Sequence, residues 1–164
     1  MQNHTPEWKF LRGLPQLSIL EDKNIFDIAT RLNKKKYGEG EFIFFQGDKV
    51  TNLYFLEMGK VEIYKSDING KKLTLWFINE EEIFCLANLY SLQAFANARV
   101  VQNSMIYSIE KDYFDALVAG SGPFARNLIR CMSTKLPLPQ NLWLEVVQND
   151  SLLFGVGNPT VRFM

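Results

Sequence analysis

The residues whose side chains could carry acid–base, nucleophilic or metal chemistry are few. The chain of 164 residues contains one histidine, His4, and two cysteines, Cys85 and Cys131. A single histidine cannot build a metal site of several clustered imidazole and carboxylate ligands, and it leaves the body of the chain without a His-based catalytic triad. The cysteines are too widely spaced for a zinc motif and too few for a disulfide framework. We therefore expect reduced thiols, no bound metal ion and no enzymatic activity.

Three consecutive residues of like charge occur twice, at Lys34–Lys36 and at Glu80–Glu82. The acidic run could suggest calcium, but like charges at a strand end are more often a solvated loop. We interpret the basic run as the solvated C-terminal end of a helix, where cations are favoured. Eighteen basic and eighteen acidic residues balance, which excludes a surface that is basic throughout and binds nucleic acid. Since no apolar run is long enough to span a membrane, a cytoplasmic protein is expected.

Any functional site must be positioned by the elements of the fold. In this sequence those elements are short apolar runs separated by turns that contain glycine. The predicted strands cover residues 42–46, 53–58, 61–65, 72–78, 98–102 and 105–109. Gly59 is expected to turn the chain between two of them, and Asn69-Gly70 is a strong hairpin signal because Asn-Gly accepts positive φ. Residues 53–58 are nearly all apolar, so both faces of that strand should be covered. This pattern is typical of a small antiparallel barrel or jelly roll.

Helices are predicted on both sides of the strands. Residues 1–17 are interpreted as an irregular arm, and residues 18–33 as a helix with one buried stripe. A second helix begins near Asp112 and breaks at Gly120, and a third continues from Pro123.

A further helix is predicted after Pro137 and Pro139, which should interrupt the preceding one. Its apolar stripe recurs at three- and four-residue spacing and comprises Leu138, Leu142, Val146, Asn149 and Leu153. The stripe resembles a short dimerisation seam with one polar position. The alternative, a helix packed on its own barrel, remains equally open from the pattern alone.

Several motifs resemble the effector-binding domain of the CRP/FNR family of bacterial transcription regulators, which is of the cyclic-nucleotide-binding type. They are the Gly-Glu-Phe-Ile-Phe entry at 40–44, the Gly47-Asp48 turn, the hairpin over 53–64 and the helix entry at 109–114. The resemblance extends from about residue 14 to 132. It implies an α+β protein, mainly β, with a double-stranded β-helix or jelly-roll core, flanking helices and a C-terminal dimerisation helix.

The resemblance also implies where a cyclic nucleotide would bind. The family's Gly and Glu correspond to Cys85 and Leu86, and its phosphate-binding Arg and Ser correspond to Ala94 and Phe95. None of the four is retained. No Lys or Arg occurs between Lys72 and Arg99, although a phosphate needs a cation or close backbone amides. Cyclic nucleotide binding is therefore not expected.

An apolar effector pocket is expected in its place. The predicted pocket residues are Trp76, Phe84, Cys85, Leu86, Leu89, Phe95 and Arg99. Arg99 is included as the next cation along the chain, although the pattern places it on the following strand.

Haem is the alternative cofactor. Residues 83–86 resemble the segment of carbon-monoxide-sensing members of the family in which a cysteine ligates ferric haem, so Cys85 could supply an axial ligand. Those proteins also use a histidine two positions later, where this chain has Ala87. A buried cysteine in an apolar run is more often part of the core.

The domain organisation follows from these elements. We expect a sensor domain over residues 1–136, a dimerisation helix over 137–156, and at 157–164 the start of a missing winged helix-turn-helix domain; the alternative is a complete small protein with a frayed tail. The expected function is a homodimeric ligand-sensing module that contacts DNA only through that missing domain. A pure dimerisation module, with its pocket filled by Phe and Leu side chains, is the alternative from another class.

Overall fold

The computed structural model describes residues 5–133. The predicted dimer stripe over 137–156, the segment 157–164 and His4 lie outside the described residues.

The first part of the chain is more regular than the sequence suggests. It contains helix α1 (Pro6–Arg12), a 3₁₀ turn (Pro15–Leu17) and helix α2 (Asp22–Arg31). The prediction of an irregular arm is therefore wrong. The Thr5 hydroxyl accepts a hydrogen bond from the Trp8 amide at 3.2 Å, and proline at a first helical position is compatible with the helix.

Within residues 5–133, six antiparallel strands form the sheet. They are β1 (Asn33–Tyr37), β2 (Phe42–Phe44), β3 (Asn52–Ser66), β4 (Lys72–Ile78), β5 (Glu82–Phe84) and β6 (Asn97–Glu110). The main order is β1-β6-β3-β4, with β2 paired to β6 and β5 paired to β3. Each pair of neighbouring strands is antiparallel, in agreement with the predicted antiparallel barrel or jelly roll.

The two long strands, β3 and β6, are the main departure from the predicted strands. Gly59 does not turn the chain back, because β3 runs through it and pairs with β6 on both sides. The register shifts between Leu56 and Val61, so the glycine lies at a bulge that bends the pair. Likewise, the two strands predicted at 98–102 and 105–109 are one strand, β6. Both faces of β3 near Phe55 are covered, as the apolar sequence indicates.

The lysine run Lys34–Lys36 lies in β1 and not at a helix end. The strand is an edge strand that pairs with residues 104–108 of β6, and its residues are mostly exposed. Lys34 Nζ lies 3.2 Å from Glu57 Oε2 on β3. Charged side chains on an exposed edge discourage pairing with other chains.

Helices α3 (Lys111–Gly120) and α4 (Gly122–Ser133) follow the sheet. Phe114 and Phe124 from these helices are fully buried with α1 and α2 against one face of the sheet. A second apolar cluster fills the inside of the roll, with Leu56, Ile63 and Ile106 among its members. None of the helices within residues 5–133 is long and apolar enough to cross a membrane.

Candidate ligand site

The chain changes direction between β5 and a second 3₁₀ turn, Leu86–Asn88. Cys85 joins the two with φ 76° and ψ 11°, in the left-handed region that favours glycine. The Asn88 amide donates to the Cys85 carbonyl at 2.9 Å and closes the turn. Cys85 is the position that the resemblance assigns to a glycine, and its backbone has a conformation that glycine adopts more readily than cysteine.

A cavity of about 120 Å³ lies beside this turn. Its walls come from three parts of the fold, and Ile63, Trp76, Ile78, Phe44, Phe95 and Ala96 form the wall from the roll. Residues 83–88 form the second wall, and Gln16, Cys131 and Met132 form the third. Most of these side chains are apolar, so the site favours a ligand with a largely apolar surface.

Five of the seven predicted pocket residues line this cavity, namely Trp76, Phe84, Cys85, Leu86 and Phe95. The Trp76 and Phe95 rings lie 5.9 Å apart between centroids, inclined at 37°. Leu89 is not a lining residue; it is buried in the cluster beneath the helices. Arg99 does not line the cavity either, because it is paired with a carboxylate on the sheet.

Arg99 belongs to an ionic cluster on the sheet. It lies opposite Glu62 in the β3–β6 register, and its Nη2 is 3.8 Å from Glu62 Oε1. The same carboxylate is paired with Lys72 and accepts a hydrogen bond from the Thr74 hydroxyl at 2.8 Å. Burial alone would raise the pKa of Glu62, but the hydrogen bonds from Lys72 and Thr74 together with the positive charges of Lys72 and Arg99 lower that pKa. Arg99 is therefore engaged in pairing a nearly buried carboxylate.

The position corresponding to the family's phosphate-binding arginine carries no charge. Ala94 is buried, its amide donates to the Asp48 carbonyl, and its carbonyl accepts from the Gly47 amide, both at 2.8 Å. No Lys or Arg is among the described residues that line the cavity. An exposed lysine, Lys49, borders a neighbouring recess of about 20 Å³, which Ala94 also lines and which shares Phe44, Cys85 and Asn88 with the cavity. A count of cations between Lys72 and Arg99 does not reveal this lysine, because it lies earlier in the chain.

The thiol of Cys85 does not suit a haem. Burial raises the pKa of Cys85 well above its usual value, and a hydrogen bond with Asn88 only partly opposes this. A haem-ligating thiolate would need the opposite shift. The cavity is also close in volume to a cavity of about 150 Å³ that holds one benzene molecule. A porphyrin is far larger than benzene. The residues present therefore do not fit haem in this conformation.

The lining residues that sequence reasoning missed include two polar ones and two from α4: Gln16, Asn88, Cys131 and Met132. A signal exists for the polar pair. Gln16 and Asn88 are polar residues inside the apolar runs Leu14–Leu17 and Leu86–Leu89, and both are buried. A buried amide in such a run requires hydrogen-bond partners, which distinguishes it from its apolar neighbours.

The fold and this site together define a domain of the cyclic-nucleotide-binding type. The cyclic nucleotide-binding domain family matches residues 34–121, more than half of the chain, and the chain belongs to that family. The predicted α+β jelly-roll fold is thereby confirmed.

Its relatives include CRP/FNR-type regulators, which confirms the resemblance seen in the motifs. The cyclic AMP receptor protein of Thermus thermophilus is 24% identical over 127 residues, 77% of this chain and 59% of that protein. The anaerobic regulatory protein of Bacillus subtilis is 24% identical over 130 residues, 77% of this chain and 55% of that protein. The chain thus spans a little over half the length of these relatives.

A solved structure supports the same fold. The sensor domain of the transcriptional regulator DNR from Pseudomonas aeruginosa superposes with a TM-score of 0.71 at 22% identity, covering 78% of this chain and 87% of that one.

Proposed function

We propose that this chain is the ligand-sensing domain of a CRP/FNR-type transcription regulator and that it binds a small, largely apolar effector in the cavity beside Cys85. The observation that carries the proposal is the cavity itself. It lies beside the turn where the family places its nucleotide, yet apolar side chains line most of it and none of its described lining residues is a lysine or arginine. A buried phosphate without a cation would cost several kcal/mol or more.

The lining residues also suggest how an effector would be coupled to regulation. Cys131 and Met132 lie near the end of α4, the helix that precedes the predicted dimer segment, while Trp76 and Phe95 belong to the roll. A ligand between them would favour one placement of α4 over another, in proportion to its differential affinity for the two. In this proposal the protein is a cytoplasmic homodimer without catalytic activity, and DNA is contacted through a C-terminal domain outside this chain.

The cavity favours the sensing function over a ligand-free dimerisation module. That alternative requires Phe and Leu side chains to fill the pocket, but a space of about 120 Å³ remains between Trp76, Phe84 and Met132. The haem alternative is weakened by the raised pKa of the Cys85 thiol.

Calorimetry with benzofuran, a neutral apolar probe, tests the proposal. We expect saturable binding to the purified chain and at least about a tenfold loss of affinity in Cys131→Phe, whose ring would occupy the cavity from α4. The matched control is Ile129→Phe, which adds a ring on the exposed face of the same helix and should leave the affinity unchanged. Cyclic AMP should show no saturable binding at sub-millimolar concentration.

Two results would count against the proposal. Micromolar binding of cyclic AMP would overturn it, and Lys49 and Arg99 would then be the first cations to replace. A Soret band that Cys85→Ser alters or abolishes would favour the haem sensor, whereas a colourless protein that takes up no added hemin would remove that alternative.

A further inference from the structure

The sheet has a second face, which points away from the cavity. Ile63 and Trp76 line the cavity and are cross-strand partners, and Glu62 pairs with Phe77 one residue away on the same two strands. Because neighbouring residues of a strand point to opposite sides, Glu62 and Phe77 lie on the reverse side. Arg99 of β6 is opposite Glu62 and extends this row to a third strand. We call this side of the sheet the outer face.

Aromatic rings lie at both ends of the row on the outer face. Phe42 of β2 is opposite Arg99, and its ring stacks on that of Phe45 with 4.4 Å between the centroids. The Phe42 ring also lies 6.4 Å from the ring of Tyr64. At the two ends, Phe45 is 52% exposed and Phe77 is 44% exposed. Since neighbouring strands are about 4.8 Å apart, the row of four strands separates its two aromatic ends by about 14 Å.

The accessible charges between these rings are positive. Lys72 and Arg99 each expose 39% of the side chain, whereas Glu62, the carboxylate that they share, exposes 6%. The Nζ atoms of Lys60 and Lys72 each lie 4.8 Å from the centroid of an aromatic ring on this face, an arrangement that attracts a cation to the ring. A partner that reaches the outer face therefore meets cations beside aromatic surface, with the Glu62 carboxylate beneath them.

The charges at the rim favour one class of macromolecule over another. Asp48 Oδ2 accepts from the Phe45 amide at 2.9 Å, and Glu80 Oε1 accepts from the Gly59 amide at 3.1 Å. These two carboxylates would repel a polyphosphate chain that crosses the face, although aromatic rings and cations also suit single-stranded nucleic acid. A protein segment can place its own carboxylates at the cationic centre alone. Aromatic residues and arginine are, in addition, enriched in protein–protein interfaces.

A second copy of the chain fits this face less well. In a two-fold contact the same patch meets itself, so the exposed cations of both copies would come together. The face is also small, about 20 Å across four strands and about 17 Å along five residues of a strand. This area is well below the roughly 800 Å² that each partner buries in a standard stable complex. It suits a short segment that binds with modest affinity.

We propose that the outer face docks an acidic segment of another protein. Apolar side chains of the segment contact the aromatic ends near Phe45 and Phe77, and its carboxylates face Lys72 and Arg99. The proposal goes beyond effector binding and does not depend on it, because the cavity lies on the opposite side of β3 and β4.

Fluorescence anisotropy with a pair of labelled peptides tests the proposal on the full chain. The acidic peptide is helical, with Leu-Phe anchors ten residues apart and Glu at most other positions, since ten residues of helix rise about 15 Å. Its counterpart has Gln in place of Glu. We expect the acidic peptide to bind with a dissociation constant of about 100 μM and the Gln peptide to bind at least about tenfold more weakly.

Variants of the chain locate the binding site. Phe45→Ser removes an apolar anchor and should weaken binding of the acidic peptide at least about fivefold. Its control is Ile68→Ser, at a side chain that is fully exposed at the tip of the β3–β4 hairpin. Lys60→Gln should weaken binding of the acidic peptide but not of the Gln peptide, and Lys36→Gln on the edge strand β1 is its control. In the described part of the chain none of these four side chains pairs with Glu62, so no variant leaves that carboxylate unpaired.

Four results would overturn the proposal. They are no binding of the acidic peptide up to about 1 mM, and binding that Phe45→Ser and Lys60→Gln leave unchanged. An oligothymidine that binds more tightly than the acidic peptide and loses affinity in Phe45→Ser would assign the face to single-stranded nucleic acid. Self-association that Phe45→Ser abolishes would assign it to a second copy. Cys131→Phe, which fills the cavity, should leave peptide binding unchanged, so this proposal and the effector proposal can fail separately.

Discussion

Cys85 is a half-buried residue that combines an unusual backbone conformation with a thiol of raised pKa. Its φ of 76° lies where a side chain other than glycine costs about 1–3 kcal/mol. The residue lines the cavity, and burial raises the pKa of its thiol well above the usual value. Cys85 should therefore behave as a neutral, slowly reacting group at physiological pH.

This gives a prediction for alkylation. In a Cys131→Ser background, which leaves Cys85 as the only cysteine, iodoacetamide at pH 8 should modify the folded protein much more slowly than the same protein in urea. Mass spectrometry of timed samples measures both rates. Equal rates in the two conditions would contradict the raised pKa of the thiol.

The same shift has a consequence for stability. The folded-state pKa of Cys85 is raised by burial, so the unfolded chain releases the thiol proton first as the pH rises. The contribution of the protonated thiol to the free energy of unfolding is present below the unfolded pKa of about 8.5 and is lost above it. Chemical denaturation should show that the free energy of unfolding falls more between pH 7.5 and pH 9.5 in the parent than in Cys85→Ala. Both proteins carry Cys131→Ser.

Among individual residues, the sequence predicts only part of the site. The resemblance locates Cys85 and Leu86, because a strand followed by a short turn is local in the chain. It cannot locate Gln16 or Met132, which are more than a hundred residues apart in sequence and reach the same cavity. Arg99 is misplaced for a different reason: its partner Glu62 lies on the neighbouring strand, and cross-strand register is not visible in the sequence.

At the scale of elements, the bend in the β3–β6 pair depends on Gly59. Its φ is 107°, and a Cβ there would lie 2.1 Å from Ser104 Oγ and 2.6 Å from the Asn103 carbonyl oxygen. Gly59→Ala should therefore add a steric clash to an unfavourable backbone conformation and cost about 3 kcal/mol of unfolding free energy. Urea denaturation followed by circular dichroism measures this.

Gly70 supplies the matched control. Its φ is 80°, but a Cβ at this position would have no atom within 4 Å beyond its chain neighbours, so Gly70→Ala bears the backbone cost alone, about 1 kcal/mol. If the two variants lose equal stability, the close approach of β6 at Gly59 is not what requires glycine there.

Elements specified by local sequence signals are predicted correctly, whereas elements whose position depends on strand pairing are predicted wrongly. The hairpin near Asn69-Gly70 and the bounds of strand β4 are predicted correctly because the turn signal is local, although only Gly70 adopts positive φ. The turn predicted at Gly59 is wrong because glycine with positive φ occurs in β-bulges as well as in turns, and the local sequence does not distinguish the two. It predicts a helix end at Lys34–Lys36 because an exposed edge strand has no apolar alternation to identify it.

At the scale of the whole molecule, the cavity lies where the two structural layers meet. One apolar cluster fills the roll, another joins the helices to the sheet, and Cys85 packs against both. Gln16, Cys131 and Met132 come from the helical layer, whereas Trp76 and Phe95 come from the roll. A ligand there contacts both layers and can shift their relative placement only if it binds one arrangement more tightly.

The last prediction concerns the assembly that such a shift would act on. The stripe Leu138, Leu142, Val146, Asn149 and Leu153 is predicted from sequence to form a two-fold seam in which the same residues face each other. Val146→Glu would then place two like charges at the seam and should give monomers in analytical ultracentrifugation. Gln148→Glu adds the same charge about 200° away around the helix and should leave the dimer intact. A wild-type protein that is monomeric at high micromolar concentration would mean that the stripe packs on its own domain, and the effector would then have to act through α4 within one chain.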